Sequence, residues 1–201
     1  PRDSPRADPS QPGVSAGDIA DARPLWVFAY GSLMWNPGFA TPETRAAHLH
    51  GWHRALCVYS EHYRGTPARP GLILGLLPGG ACRGLAHRLP PASYDATRRY
   101  LRHREIDNDG VYEEAVRPIR LDDGRKVPAL VYLADRRHRQ FAGKLPTAKA
   151  LALLRGGSGV TGTNLAYLHN TVGHLREFGL RDRGLEDLAR RTGPSGGSQT
   201  R

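Results

Sequence analysis

Cysteine is scarce in this sequence, with only Cys57 and Cys82 among 201 residues. Both stand inside apolar stretches and neither belongs to a paired motif, so the pattern favours buried, reduced thiols over a disulfide framework or a zinc site. A bridge between the two is the less favoured alternative. The sequence also lacks a Gly-x-Ser-x-Gly elbow, and neither cysteine has an obvious histidine partner, so covalent hydrolases have little support.

Long apolar runs are missing as well. No stretch approaches the roughly eighteen apolar residues that a membrane-spanning helix needs, and no basic and then apolar N-terminus suggests a secretory signal. We therefore expect a cytoplasmic protein with no membrane partner. A chain of 201 residues can bury one sizeable core but is short for two full domains.

Acidic residues are the minority charge, with 19 Asp and Glu against 29 Lys and Arg and a formal net charge of +10. Such an excess can indicate a nucleic-acid partner, because basic patches gain affinity by neutralising phosphates. Here the arginines are scattered, and no basic cluster alternates with aromatic residues as a stacking surface requires. We expect no nucleic-acid partner and interpret the charge as a solvated surface that also attracts anionic substrates.

Both ends of the chain lack apolar periodicity and are rich in small, polar and charged residues. Such segments cannot offset the entropy that ordering costs. The sequence predicts flexible tails at 1–23 and 192–201 around a single domain at 24–191. No internal repeat is visible.

Strand signals come first in the domain and helix signals last, which predicts an α+β fold. Short apolar segments bounded by Gly or Pro predict strands in a curved, mostly antiparallel sheet. These segments are 25–30, 54–60, 72–77 and 82–89. The turn residues 122–125 join two further strands, 111–121 and 126–134, in a β-hairpin.

Helices are predicted after Ser93 and through the last third of the chain. Thr147 and Asp182 are the predicted caps of two C-terminal helices, and an apolar stripe from Leu165 to Leu175 marks another. The helix after Ser93 runs to about Glu105. This carboxylate falls on or beside the buried face of the last turn. The helix dipole favours cations there, so the position of Glu105 is not explained by helix stability.

Two motifs suggest sites that their context does not support. Residues 157–162 match G-x-G-x-x-G letter for letter, but they follow a helical segment and lack a βαβ unit, so we expect no dinucleotide cofactor. His48, His50 and His53 are close in sequence, yet their spacing defines no closed ligand geometry. We interpret them as surface histidines and predict no metal.

The segment Tyr30-Gly31-Ser32-Leu33 is a tight turn directly after the first predicted strand. Turns of this kind present several free backbone N–H groups, which bind carboxylates and oxyanions. A purely structural turn is the alternative reading of these four residues alone.

The residues W-V-F-A-Y-G-S-L-M-W-N-P at 26–37 resemble the opening signature of the ChaC family of glutathione-specific γ-glutamylcyclotransferases. The likeness spans nearly everything between the tails. It continues in Gly51-Trp-His-Arg54, Arg64-Gly-Thr66, Pro70-Gly71, Gly84–Leu89, Tyr100-Leu-x-x-Arg-Glu105 and Gly162-Thr-Asn-x-x-Tyr-Leu168. The segment 136–145 does not match the family pattern, and Ala29 replaces a glycine that many relatives have. The resemblance implies a barrel-like sheet packed by C-terminal helices.

The resemblance also implies an activity: cleavage of glutathione to 5-oxoproline and Cys-Gly, with no cofactor. Glu105 is then the general acid/base, with a pKa raised by burial among Tyr100, Leu101 and Tyr112. The expected substrate-binding residues are Tyr30, Gly31, Ser32, Leu33, Arg64, Tyr112 and Tyr167. Of these, Arg64 is either the partner of a substrate carboxylate or a solvated loop arginine.

Two alternatives stay open at this point. One is a cyclotransferase for other γ-glutamyl peptides or amines, which only contacts to the Cys-Gly part would distinguish. The other is a non-enzymatic regulatory partner of cation transport, suggested by an older association of the family. The second alternative predicts that a change at Glu105 leaves function unaltered.

Overall fold

Five strands form a closed barrel in the computed structural model, which describes residues 24–107 and 111–193. The strands are β1 (Trp26–Ala29), β2 (Glu43–Ser60), β3 (Gly71–Arg88), β4 (Tyr112–Leu121) and β5 (Lys126–Ala134). Their order is β1-β3-β2-β4-β5, and β1 closes the barrel by pairing parallel to β5. The other barrel pairings are antiparallel. The predicted α+β fold with a barrel-like sheet is confirmed.

Four α-helices accompany the barrel. They are α1 (Tyr94–Arg102), α2 (Thr147–Gly156), α3 (Asn164–Glu177) and α4 (Arg183–Thr192). A π-helical turn, His103–Asp107, extends α1, and a small hairpin of β6 (Ser158–Gly159) and β7 (Gly162–Thr163) precedes α3. Within the described residues, no helix has the length and hydropathy that crossing a membrane requires.

The predicted helix caps have mixed outcomes. Asp182 caps α4 as predicted, because its Oδ1 accepts a hydrogen bond from the Leu185 N–H at 3.1 Å. Ser93 holds the cap position of α1, but its hydroxyl donates backward to the Pro90 carbonyl and caps nothing. The prediction for Thr147 is wrong, since it is already the first residue of α2.

Strands β2 and β3 are longer than predicted, with 18 residues each. The predicted strand 54–60 begins at Glu43 instead, and the predicted strands 72–77 and 82–89 are one strand. Residues 78–80 resemble a strand break, but Pro78 still pairs with Trp52. Gly79 and Gly80 form a bulge opposite Gly51, and pairing resumes at His50 with Ala81. A bulge lets a ladder bend and continue, so these turn-like residues curve the sheet without ending it.

The core lies inside the barrel and beneath the C-terminal helices. All four residues of β1 are buried, as are Leu154, Leu168 and Leu175 of the helices. Cys57 and Cys82 are both buried and free. The 111–134 hairpin is confirmed with its turn at 122–125. The predicted tail 1–23 lies outside the described residues, as does 194–201, while Thr192 belongs to α4.

Candidate active site

The turn after β1 forms one wall of a small pocket. Ser32–Met34 are a short 3₁₀ helix that Gly31 precedes, and Met34 N donates to the Gly31 carbonyl at 2.9 Å. The first N–H groups of a helix have no acceptor within it. Ser32 and Leu33 begin this helix and line the pocket. Their backbone N–H groups are therefore suited to bind an anionic group.

Three buried or half-buried side chains hold this turn in place. The Arg54 Nε donates to the Tyr30 carbonyl at 2.6 Å, and the Arg104 Nη2 donates to the Ser32 Oγ at 3.1 Å. His87, which is 3% exposed, has its Nε2 3.0 Å from the Leu33 carbonyl. Because a carbonyl only accepts, this nitrogen carries the proton, and burial lowers the pKa of His87 and favours the neutral ring.

Glu105 faces the turn from the π-helical segment after α1. Its side chain is 16% exposed, and the buried Oε1 has no hydrogen-bond partner among the described residues. The Arg104 Nε lies 3.1 Å from this oxygen as an ion pair, but outside hydrogen-bond geometry. A buried carboxylate oxygen without a hydrogen bond is costly, and this one lies beside the pocket.

Two opposing effects set the pKa of Glu105. Burial raises it, the nearby Arg104 guanidinium lowers it, and the net shift is upward. Desolvation disfavours the charged form, while an adjacent cation stabilises it. The outcome is a carboxyl group that is a stronger base than a solvated glutamate.

Four tyrosines enclose the Glu105 carboxylate. Tyr30 donates its hydroxyl to the Tyr132 carbonyl at 2.8 Å, and Tyr112 donates to the Leu74 carbonyl at 2.6 Å. The Tyr167 hydroxyl accepts from the Leu74 N–H at 3.2 Å, so its own proton is free for a ligand. Burial raises the pKa of all four phenols, that of Tyr167 to about 12, which keeps them neutral.

The enclosed space continues outward into a larger cleft. The inner pocket has a volume of about 40 Å³ and the outer cleft one of about 510 Å³. The two adjoin, since Ser32, Glu105, Tyr112 and Tyr167 line both. A ligand can therefore place one end beside Glu105 and leave the rest in the outer cleft.

The outer cleft is cationic. Arg64, His103 and Arg104 line it, and Glu105 is the one acidic residue among the described residues of its wall. The Arg64 Nη1 donates to the Thr161 carbonyl at 2.5 Å, and the guanidinium carbon lies 5.3 Å from the centre of the Tyr167 ring. These contacts hold Arg64 at the wall of the cleft, and its role as a partner for a substrate carboxylate stays a prediction.

Two further sequence motifs take up structural positions, and of their residues Thr161 lines the outer cleft. Residues 157–162 form the β6–β7 hairpin after α2, where Gly157 and Gly159 pack against the backbone of the 62–71 loop and side chains would clash. His48, His50 and His53 lie along β2 and not in a loop, with the His53 Nδ1 3.0 Å from the Gly79 carbonyl. Within the described part of the chain, no three His, Cys, Asp or Glu residues are grouped as metal ligands.

Comparison with known proteins identifies the family. Residues 25–193 match the family described as ChaC-like protein. The chain belongs to the ChaC family. It is 39% identical over 168 residues to the glutathione-specific γ-glutamylcyclotransferase of Escherichia coli, covering 84% of this chain and 72% of that protein. The Schizosaccharomyces pombe protein of the same name is 29% identical, covering 77% of this chain and 84% of its own length.

A crystal structure from yeast supports the fold of this ChaC chain. The γ-glutamyl cyclotransferase specific to glutathione superposes with a TM-score of 0.76 over 84% of this chain and 95% of the yeast chain. At 20% sequence identity this likeness shows the shared fold. The resemblance stated from the sequence is confirmed at the level of family and fold.

The structure brings the predicted site residues of this ChaC chain together. Seven of the eight line the inner pocket, and Arg64 lies in the adjoining outer cleft. Sequence reasoning missed Leu74 and Tyr132, which contribute pocket wall from β3 and β5. Tyr100 was expected to bury Glu105, but it is 38% exposed, lines the outer cleft and accepts from the Arg104 Nη1 at 3.1 Å.

Proposed function

We propose that this chain cyclises the γ-glutamyl group of glutathione, releasing 5-oxoproline and Cys-Gly, with Glu105 as the general acid/base. The observation that carries the proposal is the buried Oε1 of Glu105, which is ion-paired with Arg104 and lies beside the pocket that the Tyr30–Leu33 turn lines. Identity of 39% to the Escherichia coli glutathione-specific enzyme supports the substrate. The proposal involves a small-molecule substrate, no nucleic acid, and the cytoplasmic location predicted from the sequence.

The first step is removal of a proton from the substrate ammonium. An α-amino group has a pKa of about 7.7–8.0, so at neutral pH most of it is charged and cannot attack. Glu105 accepts the proton, and burial makes it a better base than a solvated carboxylate. The freed amine then attacks the γ-carbonyl carbon of the same molecule and closes a five-membered ring.

The second step is expulsion of the cysteinyl amine. The tetrahedral intermediate collapses and the γ-carbon to nitrogen bond breaks as Glu105 returns the proton to the leaving nitrogen. Glu105 then takes the second proton of the ring nitrogen and passes it to the released amine, so Cys-Gly leaves as an ammonium and the carboxylate is regenerated. Glutathione is thereby divided into 5-oxoproline and Cys-Gly with no water consumed. One carboxyl group serves both steps, so no second acid is needed.

Anionic groups of the substrate are assigned to the turn and the outer cleft. The N–H groups of Ser32 and Leu33 are suited to the γ-glutamyl carboxylate or to the oxyanion, because fixed dipoles stabilise charge without reorganising. The Tyr167 hydroxyl proton can reach the same groups. In the outer cleft, Arg64 is suited to the glycine carboxylate of the Cys-Gly part.

The Glu105→Gln variant tests the proposal. Glutamine keeps the shape of glutamate but cannot accept the proton, so we expect turnover to fall by about 10²–10⁴. Release of 5-oxoproline and Cys-Gly is measured by chromatography, and glutathione binding by calorimetry. Binding is expected to survive. The matched control is Glu113→Gln, a half-exposed carboxylate on β4 that pairs with Arg137 outside the pocket.

Each remaining alternative gives a different result. If the Glu105→Gln variant is destabilised but fully active, Glu105 is a structural partner of Arg104 and the proposed mechanism is wrong. A regulatory protein releases no 5-oxoproline even from the unaltered chain. A broader cyclotransferase turns over γ-glutamyl amines that lack Cys-Gly as fast as glutathione, which a substrate panel measures.

A further inference from the structure

A second cleft lies between the barrel and the C-terminal helices, and we call it the helix-side cleft. Its volume is about 720 Å³, and it shares no lining residue with the inner pocket or the outer cleft. Its walls come from 53–56 of β2, 77–78 of β3, 136–145 after β5, and helices α2 and α4. The proposed reaction makes no use of it.

The walls of this cleft are largely apolar. Leu56, Leu77, Phe141, Leu145 and Leu188 line it and are all half-buried. Their remaining apolar surface faces a concave space. Concave sites with apolar walls and a few charged groups are typical of small-molecule binding sites.

The charged groups of the helix-side cleft are unbalanced. Arg136 and Lys144 are exposed on its wall, and neither has an ion-pair partner among the described residues. Both acidic residues of the wall are already paired, Asp182 with Arg54 at 3.1 Å and Asp187 with Arg191 at 2.8 Å. An uncompensated positive charge beside apolar walls suits a ligand with one anionic group and an apolar body.

Arg54 connects this cleft to the active site. Its side chain is 4% exposed, and its Nη1 binds Asp182 while its Nη2 donates to the Arg83 carbonyl at 2.7 Å. The Nε holds the Tyr30 carbonyl at 2.6 Å, immediately before the Gly31 turn. A group that draws the Arg54 guanidinium toward the cleft therefore acts on the backbone that leads into the substrate pocket.

We propose that the helix-side cleft is an effector site for a small amphipathic anion, whose negative group competes with Asp182 for Arg54. The apolar body packs on the leucines and Phe141, and Arg136 and Lys144 attract the negative group. Occupation of the cleft changes the kinetics at the Glu105 pocket through the Arg54 contact with Tyr30. Arg136 and Lys144 both belong to the segment 136–145, which follows β5.

The binding test uses 1-anilinonaphthalene-8-sulfonate, a fluorescent anion with an apolar body, titrated against the full chain. In the double variant Arg136→Gln, Lys144→Gln the Kd of the probe is expected to rise by about tenfold. This is the combined effect of losing two exposed charge contacts. The control Arg99→Gln, Lys149→Gln removes the same charge at exposed positions outside the cleft. Equal Kd values for the two double variants would overturn the proposal.

A second pair of variants tests the role of Arg54. Asp182→Asn keeps a helix cap but removes the charge that competes for Arg54, so the probe is expected to bind about tenfold tighter through a charge-assisted hydrogen bond. Asp187→Asn removes an equal charge from the same cleft without touching Arg54. If both variants tighten binding equally, Arg54 takes no part and the proposal is wrong.

Coupling is measured by the KM and kcat for glutathione with and without saturating probe. A change in either supports the effector role, and unchanged kinetics at full occupancy contradict it. The binding measurements need no activity, so they are decided separately from the proposed reaction. A Kd that rises with protein concentration would show that a second copy of the chain covers the cleft, which also overturns the proposal.

Discussion

Removal of the Arg104 charge is expected to move the pH dependence of catalysis. The guanidinium approaches the Glu105 carboxylate to 3.1 Å, and both side chains are mostly buried. An ion pair about 4 Å apart near a protein surface is worth about 4 kcal/mol, and a cation this close lowers a carboxyl pKa by about 1–3 units. Arg104→Met leaves the desolvation of Glu105 unopposed, so the pKa of this carboxyl group is expected to rise further.

The sign of the kinetic effect follows from the proposed role of Glu105 as a base. The base form exists above the pKa of the carboxyl group, so the rising limb of kcat/KM marks that pKa. In Arg104→Met the limb is expected to move to higher pH, with activity lost first on the acidic side. The substrate amine titrates identically in every variant, so it cannot produce this difference.

Arg104→Lys separates charge from geometry. Lysine restores a positive charge, so the limb is expected to return toward its original pH. It cannot reproduce the guanidinium contacts to Ser32 and to the Asn36 carbonyl, at 3.1 and 2.8 Å, so KM is expected to stay high. Arg99→Met, an exposed arginine of α1, is the matched control. An unmoved limb in a folded Arg104→Met protein would refute the electrostatic role.

Two further substitutions test the turn and the barrel. Gly31→Ala places a methyl 3.7 Å from the Leu74 Cδ1, so the fold is expected to tolerate it while the crowded pocket raises the glutathione KM by about tenfold or more. The control is Gly173→Ala on α3, which has no neighbour near its Cβ. An unchanged KM in Gly31→Ala would contradict the turn assignment. Asn164→Ala removes both partners of the Leu72 N–H and carbonyl, so calorimetry is expected to show a free energy of unfolding lower by about 2–5 kcal/mol, against almost no change for the exposed Asn170→Ala.

Features that depend on neighbouring residues in the sequence were predictable. The turn at 30–33, the 122–125 hairpin and the Asp182 cap each follow from residue types within a few positions. Helical spacing also placed Glu105 on or beside a buried face, while its expected role as the acid/base came from the family resemblance. Local chemistry therefore specified the centre of the candidate site.

Features that depend on which strands become neighbours were not predictable. Leu74 and Tyr132 enter the pocket only because the barrel closes with β3 and β5 on either side of β1. The bulge at Gly79 and Gly80 joins two segments that each have the pattern of a complete strand. A signal for Arg104 did exist, since it stands in the Arg-Glu motif, but its bonds to the Ser32 side chain and the Asn36 carbonyl cross 72 and 68 positions of the chain.

The substrate turn is held from both sides by an arginine, and the two arginines differ in their electrostatic effect. Arg54 fixes the Tyr30 carbonyl, and Asp182 neutralises its charge. Arg104 fixes Ser32, and its ion-pair partner is Glu105 itself. The first contact therefore orients the turn with little effect on the acid/base, while the second orients it and also tunes the pKa of Glu105. Because both contacts exist before substrate arrives, the N–H groups of the turn need no reorganisation during the reaction.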